Sequence, residues 1–257
     1  MVWNTYVALG DSFTEGVGDP DPLRPNGLRG WADRVAEELA GTNPQVHYAN
    51  LAVRGKLLDA ILDEQLAPAL AMAPDLVTIY AGGNDLMRPS VDIDALITRY
   101  DTALEQLSGT GATVVVFTCY DAGWAPVFRL MRGRAAVFNE LLREVADRHG
   151  AHILDFWRLR GYNDYRMWDT DRLHMSTRGH MRMAAEVLDL LDVPHSIIIE
   201  ELTPLPQPPR DVRRKKDIEW VRTFLYPWIM RRVRGVSSGD GITPRWAAPV
   251  LAADALA

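Results

Sequence analysis

Val114-Val115-Val116-Phe117 contains no polar residue, and that absence decides the fold class. A strand with one wet face alternates apolar and polar side chains, whereas a strand covered on both faces has no need to. Working outward, the run extends over 114–118, and comparable β-rich runs occur at 5–9, 46–49, 76–80 and 153–156. Helix-period stretches separate them at 31–40, 57–72, 93–107 and 135–149, and a fifth follows at 177–191. Five strands alternating with helices imply a parallel sheet inside a three-layer α/β/α sandwich, with right-handed crossovers restricting the topology. No internal repeat is visible.

The pattern changes after Leu202, which divides the chain into a main domain, 1–202, and an appendage, 203–257. Thr203-Pro204-Leu205-Pro206-Gln207-Pro208-Pro209 reads as a stiff, extended linker. Beyond it, 210–234 holds nine Lys/Arg against three acids, a basic island in a chain of formal net charge −6. Trp220, Val221, Phe224, Leu225, Trp228 and Ile229 share one broad helical face, and Pro227 is expected to bend or interrupt that helix. Two readings stand for this face: it packs on the main domain, or it meets a partner or an anionic membrane as an interfacial helix. The Ala-rich end reads as loosely held.

Composition narrows the function classes. The 257 residues, 47% hydrophobic and 24% charged, suit one soluble α/β core with an addition. An acidic balance argues against general nucleic-acid binding, which needs a cationic surface to displace counterions. The single cysteine, Cys119, allows no intramolecular disulfide and no Cys-rich zinc cluster, and a lone Cys at a strand end reads as core. The first residues lack a basic region and a long apolar run, and no stretch approaches a membrane span, so the cytoplasm and no stable membrane insertion are expected.

Chemistry in open α/β sheets collects beyond the carboxyl ends of the strands. Gly10-Asp11-Ser12 stands there after the first strand. Ser12 can present its hydroxyl to a crevice, or can simply cap a turn. In Asp171-Arg172-Leu173-His174 the carboxylate can curl back to the histidine Nδ1. That would leave Nε2 free to take a serine proton, although Asp-x-x-His also suits a solvated turn. Gly55, after the second strand, can bring a backbone N–H close to a ligand, and Asn84, in Gly82-Gly83-Asn84-Asp85, can donate a side-chain amide. Each glycine loop alone also serves as a plain strand-to-helix turn.

Taken together and in this order, these blocks resemble the SGNH hydrolases, also called GDSL esterases and lipases, over about residues 4–192. Gly10-Asp11-Ser12-Phe13-Thr14-Glu15-Gly16 looks like the first block, Gly55 ends the second, Gly82-Gly83-Asn84-Asp85 is similar to the third, and Asp171-Arg172-Leu173-His174 to the fifth. The resemblance implies a flavodoxin-like sheet of order 2-1-3-4-5. It also implies a serine esterase with Ser12, His174 and Asp171 as triad and with Ser12, Gly55 and Asn84 supplying the oxyanion hole. Asp11 and Asp85 would brace their loops. The expected substrate is a small-molecule, short-acyl ester; neither metal nor organic cofactor is required.

An acyltransferase would use the same residues with an alcohol or sugar as acceptor. A metal-dependent hydrolase could draw on Asp169, Asp171 and His174, but no second ligand cluster is evident. A nucleotide binder lacks the Gly-x-Gly-x-x-Gly sequence after the first strand, and a catalytically silent binding protein remains open. Tyr120, Trp124, Phe128, Trp157, Tyr162, Tyr165 and Trp168 flank the expected site; Trp124 and Trp168 are the candidate substrate contacts, the alternative being that these aromatics pack the loops.

Overall fold

The computed structural model describes residues 2–203, 205–206 and 208–256, so Pro204 and Gln207 of the expected stiff linker lie outside the described residues. Six strands form one sheet: β1 (Thr5–Gly10), β2 (His47–Asn50), β3 (Leu76–Tyr80), β4 (Thr113–Phe117), β5 (His152–Leu154) and β6 (Trp246–Leu251). Their spatial order is β5-β4-β3-β1-β2-β6, and the first five run parallel. The expected order 2-1-3-4-5 is therefore present, extended by one antiparallel edge strand.

The unbroken apolar run of β4 is explained by what covers it. Val114 and Val116 join Val7, Leu9, Val77 and Ile79 in a core beneath three helices. These are α3 (58–71), α5 (Ile93–Ser108) and α6 (Arg132–His149). Val115 and Phe117 join Tyr6, Ala8 and Tyr48 on the other face, under α2 (Gly30–Thr42) and α7 (Thr177–Leu190). Two short helices, α1 (Ser12–Glu15) and α4 (Gly83–Leu86), open directly on the loops after β1 and β3.

Two corrections concern the appendage. The helix α8 spans 210–233 without a break at Pro227; its turn widens at Val221–Leu225 just before the proline. A proline lacks an N–H and crowds the carbonyl four residues back, and a local π-turn removes that conflict without ending the helix. The same device precedes Pro68 in α3, at Leu62–Leu66. The second correction is that the chain after 241 is not loosely held. Trp246–Leu251 pairs antiparallel with β2, matching Tyr48 to Val250 and His47 to Leu251, and α9 (Ala252–Ala255) follows. Arg245 is buried and donates to Asp33 and to the Leu28 carbonyl. Trp246-Ala247-Ala248-Pro249 has little strand character of its own; pairing at an edge, where a proline is tolerated, supplies it.

Candidate active site

Gly10 ends β1 at φ 148, and a Cβ there would lie 2.6 Å from both Thr14 Oγ1 and the Tyr80 carbonyl. The missing side chain lets the chain turn at once into α1. Asp11 caps that helix, accepting from the Phe13 N–H at 3.0 Å. Phe13 is wedged against Tyr80, Trp31, Phe117 and Phe156, and the Trp31 indole N–H donates to its carbonyl at 2.9 Å. Ser12 is thus held between two anchored neighbours, half-buried, and its hydroxyl has no hydrogen-bond partner among the described residues.

The second group comes from the loop before α7. His174 Nδ1 lies 2.5 Å from Asp171 Oδ2, while Asp171 Oδ1 accepts from the Leu173 and His174 N–H groups at 2.9 and 3.0 Å. Burial alone would raise the Asp171 pKa, but the His174 hydrogen bond and charge and these backbone donors outweigh it and hold the carboxyl below its usual range. The turn is forced: Arg172 sits at φ 58, a left-handed conformation uncommon outside glycine. The helix α8 clamps it there. Trp220 Nε1 donates to the Asp171 carbonyl at 2.8 Å, and Arg172 pairs with Asp217 at 2.7 Å while stacking between Tyr165 and Trp220.

Ser12 and His174 line one cavity of about 160 Å³. Its remaining wall is largely apolar, with Tyr80, Leu86, Cys119, Phe128, Met131 and Ala135 prominent. Both candidate aromatic contacts, Trp124 and Trp168, belong to it. Their polar edges are engaged in loop packing, Trp124 donating to Tyr120 and Trp168 to the Tyr162 carbonyl at 2.8 Å. Packing and lining are therefore two faces of the same rings. Burial pushes the Cys119 thiol up to about 12, which leaves it protonated at neutral pH.

The three expected oxyanion donors are placed differently. Asn84 lines the cavity, but its amide already donates to Asp11 Oδ2 at 2.9 Å and to the Lys56 carbonyl at 3.0 Å. The Ser12 and Gly55 N–H groups have no acceptor among the described residues. Gly55, at φ 77, stands outside the cavity wall, and a Cβ on it would lie 2.4 Å from Ser237 Oγ. Its loop is fixed by the buried Glu15, which accepts from the Arg54 N–H at 2.6 Å and pairs with the Arg54 guanidinium. Asp85 braces the neighbouring loop by accepting from the Leu58 N–H at 3.0 Å.

Several residues that hold the site went unread in the sequence. Gln65 accepts from the Gly10 N–H at 2.8 Å and donates to the Gly10 carbonyl at 2.9 Å, closing the end of β1. Asn139 does the same for Cys119 after β4. The signal was available for Gln65, which interrupts the apolar stripe Leu58, Ile61, Leu62, Leu66 of α3. His180 bridges α2 and α7 instead of joining the site: the Trp31 N–H donates to its Nδ1, and its Nε2 donates to the Val17 carbonyl. Among the described residues no group of three or more His, Cys, Asp or Glu is placed to hold a metal ion. Nor is any helix among them long and apolar enough to cross a membrane.

The sequence model of the GDSL-like Lipase/Acylhydrolase family matches residues 8–182, which include Ser12, Asn84, Asp171 and His174. The chain belongs to that family. A curated relative, the uncharacterized protein YpmR of Bacillus subtilis (strain 168), is 37% identical over 88 residues, and the match spans only 32% of this chain and 32% of that relative's length. Solved structures share the fold. LAE5, an alpha/beta hydrolase enzyme from the metagenome of Lake Arreo, Spain, has a TM-score of 0.62 at 22% identity, covering 75% of this chain and 97% of its own. A catalytic mutant of Axe2, an acetylxylan esterase from Geobacillus stearothermophilus, has a TM-score of 0.61 at 18% identity, covering 73% and 94%. The psychrotrophic esterase EstA from Pseudoalteromonas sp. has a TM-score of 0.57 at 18% identity, covering 74% and 97%.

Proposed function

We propose that the chain hydrolyses short-acyl carboxylic esters through an acyl-enzyme on Ser12. The observation that carries this reading is the 2.5 Å contact between Asp171 and His174 Nδ1 at the wall of the cavity that Ser12 also lines. With Nδ1 held by Asp171, Nε2 is the nitrogen left to take the Ser12 proton as the hydroxyl attacks the carbonyl. The Ser12 N–H and the Asn84 amide, both at the cavity, then receive the oxyanion, while the Gly55 N–H, outside the cavity wall, is not counted among these donors. Asn84 must exchange its bond to the Lys56 carbonyl to do so, whereas its bond to Asp11 keeps it oriented. His174 returns the proton to the leaving alcohol, and water repeats the cycle to free the acid. A wall of about 160 Å³ supports a short acyl group, being close to the ~150 Å³ of an apolar cavity that holds benzene.

The test is hydrolysis of a simple aryl ester by Ser12→Ala and Asn84→Ala. Ser12→Ala should be inactive, and Asn84→Ala should fold yet lose about 10²–10³ in kcat. A fluorophosphonate probe should label Ser12, and His174→Ala should abolish the labelling. Unchanged turnover by Ser12→Ala would end the reading.

A further inference from the structure

A second cavity, of about 80 Å³, also borders the histidine, lined by His174, Asp171, Leu173, Phe128 and, from α8, Trp220, Phe224, Leu225, Trp228 and Arg231. The two cavities share His174, Leu173 and Phe128 but differ in what completes them. The larger contains Ser12 and Asn84 and no residue of α8; the smaller contains four apolar side chains of α8 and lacks Ser12. We propose that the smaller cavity is the subsite for the alcohol half of the ester, and that α8 selects an apolar alcohol. The inference rests on the esterase reading above.

The assignment follows from the order of bonds made and broken. In acylation the Ser12 oxygen bonds to the carbonyl carbon, the carbon–alkoxy bond breaks, and the proton taken by His174 passes to the departing alkoxy oxygen. The acyl group stays on Ser12, so it belongs to the cavity Ser12 lines. The alcohol leaves from the imidazole, so it belongs to the cavity that His174 lines without Ser12. Its walls are aromatic and aliphatic, with Arg231 the added cation, so an alkyl chain or small ring fits the lining and a polyhydroxylated sugar does not. The volume is about half that of a cavity that takes benzene, which corresponds to roughly three or four carbons. The α8 side chains of this wall lie beyond the residues matched by the family, 8–182, so the selectivity they impose belongs to the chain's own appendage.

The experiment measures kcat/KM of the full chain on butyrate esters of methanol, ethanol, propanol, butanol and hexanol, and separately on methyl esters of increasing acyl length. For the wild type, kcat/KM should rise about fourfold per methylene up to about butanol and then level off. Phe224→Ala and Trp228→Ala should move that optimum to longer alcohols, and Leu225→Trp should move it toward methanol. All three should keep the wild-type acyl-length optimum, because the acyl cavity contains none of them. Circular dichroism checks that each variant folds, and the filling and emptying variants must shift in opposite directions. Ester cleavage with a flat alcohol response in the wild type, or an alcohol optimum unmoved in folded variants, overturns the subsite and leaves the esterase reading standing. No cleavage of any ester, or full activity in Ser12→Ala, overturns that reading itself.

Discussion

Asp11 shows how far a residue beside Ser12 can sit from its ordinary chemistry. Burial pushes its carboxyl up to about 7, against the stabilising Phe13 N–H and the His174 charge, and nearby Asp85 and Glu15 push the same way. Between the ordinary 3.8 and about 7 the folded chain holds more protons here than the unfolded chain, so this residue's contribution to stability falls as pH rises through that window. Asp11→Asn should therefore gain stability relative to wild type between pH 4 and pH 8, by at most about 4 kcal/mol. Urea denaturation across that range measures it; a gap independent of pH would refute the assignment. At this scale the sequence was readable where a motif fixes which residues come together. Asp11, Ser12, Asn84 and His174 fall where their blocks place them, and Asp171 meets His174 three residues on. It was unreadable where a role depends on a distant partner. Nothing near Glu15 announces Arg54, and nothing near Trp220 announces the carbonyl of Asp171.

Among the elements, the parallel strands could be read because two covered faces leave an unmistakable apolar run. β6 could not, since its conformation is imposed by β2 and not by its own residues. Nor did local pattern show that α3 and α8 would absorb their prolines in a widened turn. The strand ends near the site carry a more consequential device. The side-chain amides of Gln65 and Asn139 bind the backbone N–H and carbonyl of Gly10, which ends β1, and of Cys119, two residues beyond β4. Gln65→Leu keeps the bulk but strands the buried Gly10 N–H, at a cost of about 1–3 kcal/mol, while the Gly10 carbonyl keeps the Val53 N–H at 3.3 Å. We expect unfolding free energy to fall by about 1–3 kcal/mol with an unchanged urea m-value, and activity to fall with it because Gly10 leads through Asp11 into α1, which begins at Ser12. A variant as stable as wild type would show that water satisfies this N–H instead.

For the molecule as a whole, the appendage returns to the core at two points. α8 crosses the rim of the site, and the chain beyond it seats Ser237 and Ser238 on Gly55 before entering the sheet. The anchor is the buried pair of Arg245 and Asp33, with Tyr48 donating to the same carboxylate at 2.9 Å. Removing one partner of a buried pair leaves an uncompensated charge, so Arg245→Met should cost about 3–5 kcal/mol, whereas Arg245→Met with Asp33→Leu should recover most of that. Chemical denaturation of both variants gives the comparison, and equal losses would exclude a charge-based cost. Because the chain is synthesised in sequence order, these appendage contacts are the last that the site acquires. A nascent chain that has emerged as far as His174 still lacks Trp220 against the Asp171 carbonyl, so the 171–174 turn gains its full set of contacts only after the appendage has been made and has folded back.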